Sequence, residues 1–155
     1  MRQRCRGFTL LELMIVIVII GVLLGMMSLV AAPNPLRQAR QEAQELAGMI
    51  QRLRERAVLN GEEYGIRLSD VGYRVMQLQA QVWEPTAGFY PWPDNLRLSF
   101  EQEGQALPLG DDEGLPQLLM LSSDESSAFT LTFMVAGRML LRLSSDGLGE
   151  ALVDG

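Results

Sequence analysis

The sequence predicts an α+β fold. A long N-terminal helical region, apolar in its first half and amphipathic in its second, packs that second half on an antiparallel β-sheet head. Three observations carry this expectation. Residues 13–32, LMIVIVIIGVLLGMMSLVAA, are 20 positions without a charge. Leu36, Ala39, Ala43, Leu46, Ile50, Leu53 and Ala57 then recur at spacings of three and four, the period of one face of an α-helix. Beyond Gly61 the chain breaks into short stretches of β-forming residues bounded by turn residues, the pattern of strands. With 155 residues the chain is long enough for one domain of ordinary size and too short for two.

As a helix rising ~1.5 Å per residue, the uncharged run covers the ~30 Å hydrocarbon core of a bilayer. Arg2, Arg4 and Arg6 precede it with no acid among the first seven residues, so the tip carries +3. The positive-inside tendency then places the N-terminus in the cytoplasm and the remainder on the far side of the membrane. A cleavable secretory signal is the competing reading, with Val30-Ala31-Ala32 as small residues at a cut. Such a signal has an apolar region of about 7 to 15 residues, shorter than this run, and Pro33 would obstruct the cut. Glu12 also argues against it. Asp, Lys or Arg inside such a segment costs about 2.5 to 3.5 kcal/mol, so a carboxylate at the head of the run is a candidate functional group.

Ala32-Pro33-Asn34-Pro35 interrupts the helical pattern, because proline removes a backbone donor and disfavours helical geometry in the residue before it. Asn34 reads as the N-cap of a second helix with Pro35 at its first position, and Asn60-Gly61 as its C-terminal stop. Opposite the apolar stripe lie Arg37, Arg40, Glu42, Glu45, Arg52, Arg54, Glu55 and Arg56, five positive charges against three negative. That face reads as solvated, or as meeting acidic neighbours in an assembly. A coiled coil is a further reading of the stripe, but a short one that ends at a glycine.

Strands are expected at Tyr64–Ser69, Gly72–Leu78 and Gln79–Trp83, with Asp70-Val71-Gly72 turning between the first two. Phe129 to Val135 alternates most cleanly, and Ala136-Gly137 turns it into a hairpin with Arg138 to Leu143. Weaker signals mark Leu96–Glu101, Leu118–Ser122 and Leu148–Val153.

Composition narrows the chemistry. The chain has no His, no Lys and a single Cys at position 5, which excludes serine and cysteine triads with histidine, Schiff-base lysines and histidine-ligated zinc. The overall charge of −6 disfavours nucleic acid as a partner. In the head, Asp111-Asp112-Glu113 and Asp124-Glu125 are oxygen donors of the type calcium takes, without EF-hand spacing; solvated loops are the plainer reading. Phe89-Tyr90-Pro91-Trp92-Pro93 reads as an aromatic loop that closes an edge of the core. Arg138 and Arg142, four apart, fall on one strand face if the alternation is regular.

Arg6-Gly7-Phe8-Thr9-Leu10-Leu11-Glu12-Leu13 and the apolar run after it resemble the class III signal of type IV pilins and type II secretion pseudopilins. The resemblance implies cleavage by a prepilin peptidase between Gly7 and Phe8, N-methylation of Phe8, and retention of the apolar helix as membrane anchor and filament core. It also implies an assembly role for Glu12, whose carboxylate meets the free amine of a neighbouring Phe8. The chain divides on this basis into a leader, 1–7, a transmembrane and filament-core helix, 8–32, an amphipathic helix, 33–61, and a periplasmic β-rich head, 62–155.

The head more diffusely resembles the H-type minor pseudopilins of type II secretion and related type IV minor pilins. The residues concerned are Leu53 to Gly61, Gly72-Tyr73-Arg74, Trp83, and Leu118 to Glu125 leading into Phe129. A subunit of this kind is expected in the bacterial inner membrane, with its N-terminus cytoplasmic and its head periplasmic, near the tip of a pseudopilus that drives folded proteins across the outer membrane. Its partners are then the prepilin peptidase, other minor pseudopilins and the major pseudopilin. No catalytic residue, cofactor, metal, nucleic acid or small-molecule substrate is expected. Two alternatives stand beside it: a minor pilin of the DNA-uptake type, and a membrane-tethered enzyme or binding protein.

Overall fold

A computed structural model of the chain describes residues 10–27 and 34–155. The chain forms two units, divided after Pro33, and each is taken by itself. The first contains α1, Leu10–Met27, an 18-residue helix with Glu12 in its first turn. Its described side chains, through residue 23, are exposed along the whole length although nearly all are apolar. No helix among the described residues is long and apolar enough to cross a membrane. The expected span, 8–32, is described only over Leu10–Met27, and its other residues lie outside the described ones.

The second unit begins with α2, Pro35–Asn60, whose ends follow local chemistry. The Asn34 side chain accepts a hydrogen bond from the Leu36 amide at 3.1 Å, satisfying one of the donors a helix leaves open at its start. At the other end Gly61 takes a left-handed φ of 66° and donates its amide to the Ala57 carbonyl. Ala39, Ala43, Leu46, Ile50, Leu53 and Ala57 are buried as the stripe requires, while Leu36 stays exposed. Burial of Leu46, Ile50 and Leu53 contributes about 1.5 to 3 kcal/mol each, and the buried Ala39, Ala43 and Ala57 flank them on the same stripe.

Nine strands follow where one sheet was expected, and they form two antiparallel sheets. The first has the order β3-β2-β1-β6, with β1 Tyr64–Leu68, β2 Gly72–Gln79, β3 Val82–Pro91 and β6 Leu118–Met120. The second has the order β5-β4-β7-β8-β9, with β4 Arg97–Gln102, β5 Gln105–Leu107, β7 Phe129–Val135, β8 Arg138–Ser145 and β9 Leu152–Asp154. Helix α2 contacts β1 and β6 of one sheet and β8 and β9 of the other, so a single apolar stripe closes both into one core. The largest fully buried side chains in that core are Phe100 and Phe133 of the second sheet.

Three strand expectations change. The turn after β2 lies at Ala80 and Gln81, with φ of 46° and 69°, so the expected strand 79–83 instead spans a hairpin turn. Neither residue is Gly, Asn or Asp, which is why the sequence did not mark it. Strand β3 runs on to Pro91, with Arg74 opposite Phe89 and Met76 opposite Pro85, so residues 86–88 bulge against Val75. At the far end, Asp146 accepts amides of Leu148 and Gly149 at 2.9 Å each in a turn that holds the chain out of the sheet until Leu152.

Candidate assembly surfaces

Gly7 and Phe8, the expected cleavage site, lie outside the described residues. Glu12 sits exposed in the first turn of α1, where a carboxylate also complements the helix dipole. It is the only charge in a helix apolar on every side, and a helix of that kind requires apolar surroundings all round. On one flank Leu11, Met14, Ile15, Val18 and Ile19 enclose a shallow groove of about 290 Å³, an opening into which side chains of a neighbouring helix can pack.

In the head the charges are sorted by contacts distant in sequence. Arg54 belongs by spacing to the solvated face of α2, yet its side chain is 13% exposed. Its guanidinium donates to the Asp124 carboxylate at 2.8 Å and to the carbonyls of Asp124, Leu148 and Gly149 at 3.0, 2.7 and 3.0 Å. One side chain thus ties α2 to the loop after β6 and to the loop after β8. No local signal could have marked it, since its partners lie 70 to 95 positions away.

A second clamp lies on the first sheet. Arg67 and Arg74 are cross-strand partners, and the loop carrying Asp111 to Leu115 is fixed over them. Arg67 donates to the Leu115 and Asp111 carbonyls at 2.8 and 3.0 Å, while Arg74 is ion-paired with Asp112 and lies over the Phe89 ring. The carboxylates considered for calcium are therefore divided, Asp112 to Arg74 and Asp124 to Arg54. Among the described residues no three His, Cys, Asp or Glu are placed to hold a metal ion.

The aromatic segment is mostly strand. Tyr90 stacks on Tyr73 at 4.9 Å, Tyr73 meets Trp92 at 5.0 Å, and Trp92 meets Phe133 edge-on at 6.1 Å, so the aromatics bridge the two sheets as an internal seam. Burial, reinforced by Tyr90, Glu45 and Glu42 and opposed by Arg52, pushes the Tyr73 phenol up to about 12. Burial, then Glu45, likewise raises Glu42 above the usual carboxylate range. Glu62 is held below that range, chiefly by the Tyr64 hydroxyl donating to it at 2.6 Å.

The expected Arg138–Arg142 pair is undone by a bulge in β8. Arg142 pairs with Thr132 and Arg138 with Val135, and the register shifts between them. Thr132 and Val135 lie on opposite faces of β7, so the two arginines do as well. Arg67, Arg74 and Arg97 are each held by acceptors within the head.

An all-apolar helix opening with one carboxylate, joined in sequence to a helix-backed antiparallel head, defines the pilin-like class of filament subunits. Residues 2–28 match the family model of the prokaryotic N-terminal methylation motif. The chain is 41% identical over 157 residues to type II secretion system protein H of Pseudomonas aeruginosa, covering 92% of this chain and 91% of that protein. To the protein of the same name from Aeromonas hydrophila it is 28% identical over 149 residues, covering 84% and 81%. The structure of the minor pseudopilin EpsH of Vibrio cholerae superimposes with a TM-score of 0.66 at 25% identity, over 76% of this chain and 96% of that one. The solution structure of Escherichia coli GspH shares the fold, with a TM-score of 0.64 at 23% identity over 81% and 93%. The chain belongs to the type II secretion system protein H family and is a minor pseudopilin.

Proposed function

We propose that a prepilin peptidase cuts the chain between Gly7 and Phe8, that Phe8 becomes N-methylated, and that residues 8–32 remain as inner-membrane anchor and filament core with the head in the periplasm. The processed subunit joins other minor pseudopilins and the major pseudopilin near the tip of the pseudopilus, whose growth pushes folded proteins across the outer membrane. It contributes contacts, not catalysis. The observation that carries this reading is the methylation motif over residues 2–28, in a chain 41% identical to a protein H.

Glu12 is the docking group in this reading. When apolar helices pack in a filament, the amine of Phe8 enters a low-dielectric core, where an unpaired charge costs several kcal/mol. The Glu12 carboxylate of an adjacent subunit compensates it, and a mispacked subunit leaves both charges bare. Register in the filament is thereby tied to electrostatics.

A DNA-uptake role is less well supported. Residues 64–155 hold five arginines against 13 acids, a formal charge of −8. Three of those arginines are engaged within the head and the other two face apart. Phosphate contacts need cations presented together.

The mass of the mature protein tests the processing. A chain starting at Phe8 with one added methyl group is expected, and Gly7→Leu is expected to retain the leader. A mature chain starting at Pro33 would establish a secretory signal instead.

A further inference from the structure

At the C-terminal end of α2 a groove of about 560 Å³ opens between the helix and the loop that follows β8. Val58, Leu59 and Leu148 make its apolar part, with Leu59 83% and Leu148 74% exposed. Glu55 and Glu150 line it as well, together with Asp124, whose carboxylate is already ion-paired with Arg54. Among the described residues lining it, Arg54 is the only cation, and four of its five guanidinium N–H groups are donated to acceptors inside the head. The groove therefore offers apolar surface beside carboxylates with no available positive charge of its own. The same arginine fixes both walls, so the groove exists before anything enters it, which lowers the ordering cost of binding.

We infer that this groove is a docking site for a neighbouring pseudopilus subunit, through a segment that presents an apolar side chain flanked by Lys or Arg. The partner class rests on the assembly role proposed above, and the chemistry rests on the groove. Two leucines this exposed, lining one groove on a head that is otherwise strongly acidic, are costly to leave in water and mark an interaction site. Acids beside such a patch select a basic partner, speed its approach and repel the acidic heads of further copies of this chain.

The test uses the full-length chain in a cell whose own copy has been deleted. A photo-crosslinking phenylalanine analogue is placed at position 59 or 148, and for comparison at Met139, which is exposed but lies outside the groove. Expected are adducts from 59 and 148, identified by mass as another pseudopilus subunit, and none from 139. Glu55→Arg combined with Glu150→Arg is expected to lower adduct yield by about tenfold or more while the chain still accumulates in the membrane. The two acids are exposed, so folding is not at stake.

Adducts that charge reversal does not diminish, adducts only with a second copy of this chain, or no adducts in a cell that secretes normally would each overturn the inference. An unaltered chain that fails to restore secretion would overturn the assembly role, and the partner class with it.

Discussion

Replacing Arg54 with alanine removes a side chain that holds three separate segments of the head together. Its three bonds to the carbonyls of Asp124, Leu148 and Gly149 each net about 1 kcal/mol, since the freed carbonyls lie in exposed loops and can rehydrate. The ion pair with Asp124, whose carboxylate is 63% exposed, adds about 0.5 kcal/mol after solvent screening. The expected loss is about 3.5 kcal/mol, which for a unit of this size lowers the melting temperature on the order of 10 °C. Asp124→Asn separates the contributions: it deletes only the charge, leaves the carbonyl contacts in place, and is expected to cost about 0.5 kcal/mol. Arg54→Lys should behave like alanine, because one ammonium cannot reach four acceptors in the planar arrangement of a guanidinium. Thermal and urea unfolding of residues 34–155, which have their own core, provide the assay. A loss below about 1 kcal/mol for Arg54→Ala, or an Asp124→Asn as damaging as Arg54→Ala, would refute the clamp.

Three further outcomes follow from particular groups. The Tyr73 phenol keeps its proton up to about 12 in the folded head, whereas an unfolded chain gives it up near 10. The stability this contributes is therefore complete below about pH 10 and lost as pH rises toward 12; Tyr73→Phe should flatten that decline, and ultraviolet titration showing Tyr73 ionising at the ordinary value would contradict the assignment. Glu12→Ala should still be cleaved and inserted, because losing a charge eases insertion, but should enter the pseudopilus poorly; wild-type secretion and crosslinking to neighbouring subunits would remove its docking role. The head, residues 34–155, should show no DNA binding near physiological salt. A salt-sensitive gel shift at micromolar protein, abolished by Arg138→Ala with Arg142→Ala, would reverse that expectation.

The elements whose cause is local could be read from the sequence. Helix α2 begins and ends at Asn34 and Gly61 because one side-chain acceptor and one left-handed glycine satisfy its open backbone groups, and both are neighbours in the chain. The β7–β8 hairpin was legible for the same reason: strict alternation up to Val135 and a turn at Ala136-Gly137. The signal at Arg6 to Leu13 is likewise a contiguous pattern. What only the tertiary structure decided involves residues far apart. The strands divide into two sheets that the one α2 stripe contacts together, an arrangement that no local window of sequence contains. Asp112 and Asp124 are ion-pair partners because the fold brings Arg74 and Arg54 to them across 38 and 70 positions. A single bulge in β8 reverses the face of Arg138 relative to Arg142, because side-chain direction alternates every residue and one inserted position inverts it. Sequence periodicity fixes which residues share a face only while the backbone stays regular, and the interruptions are set by what packs against it.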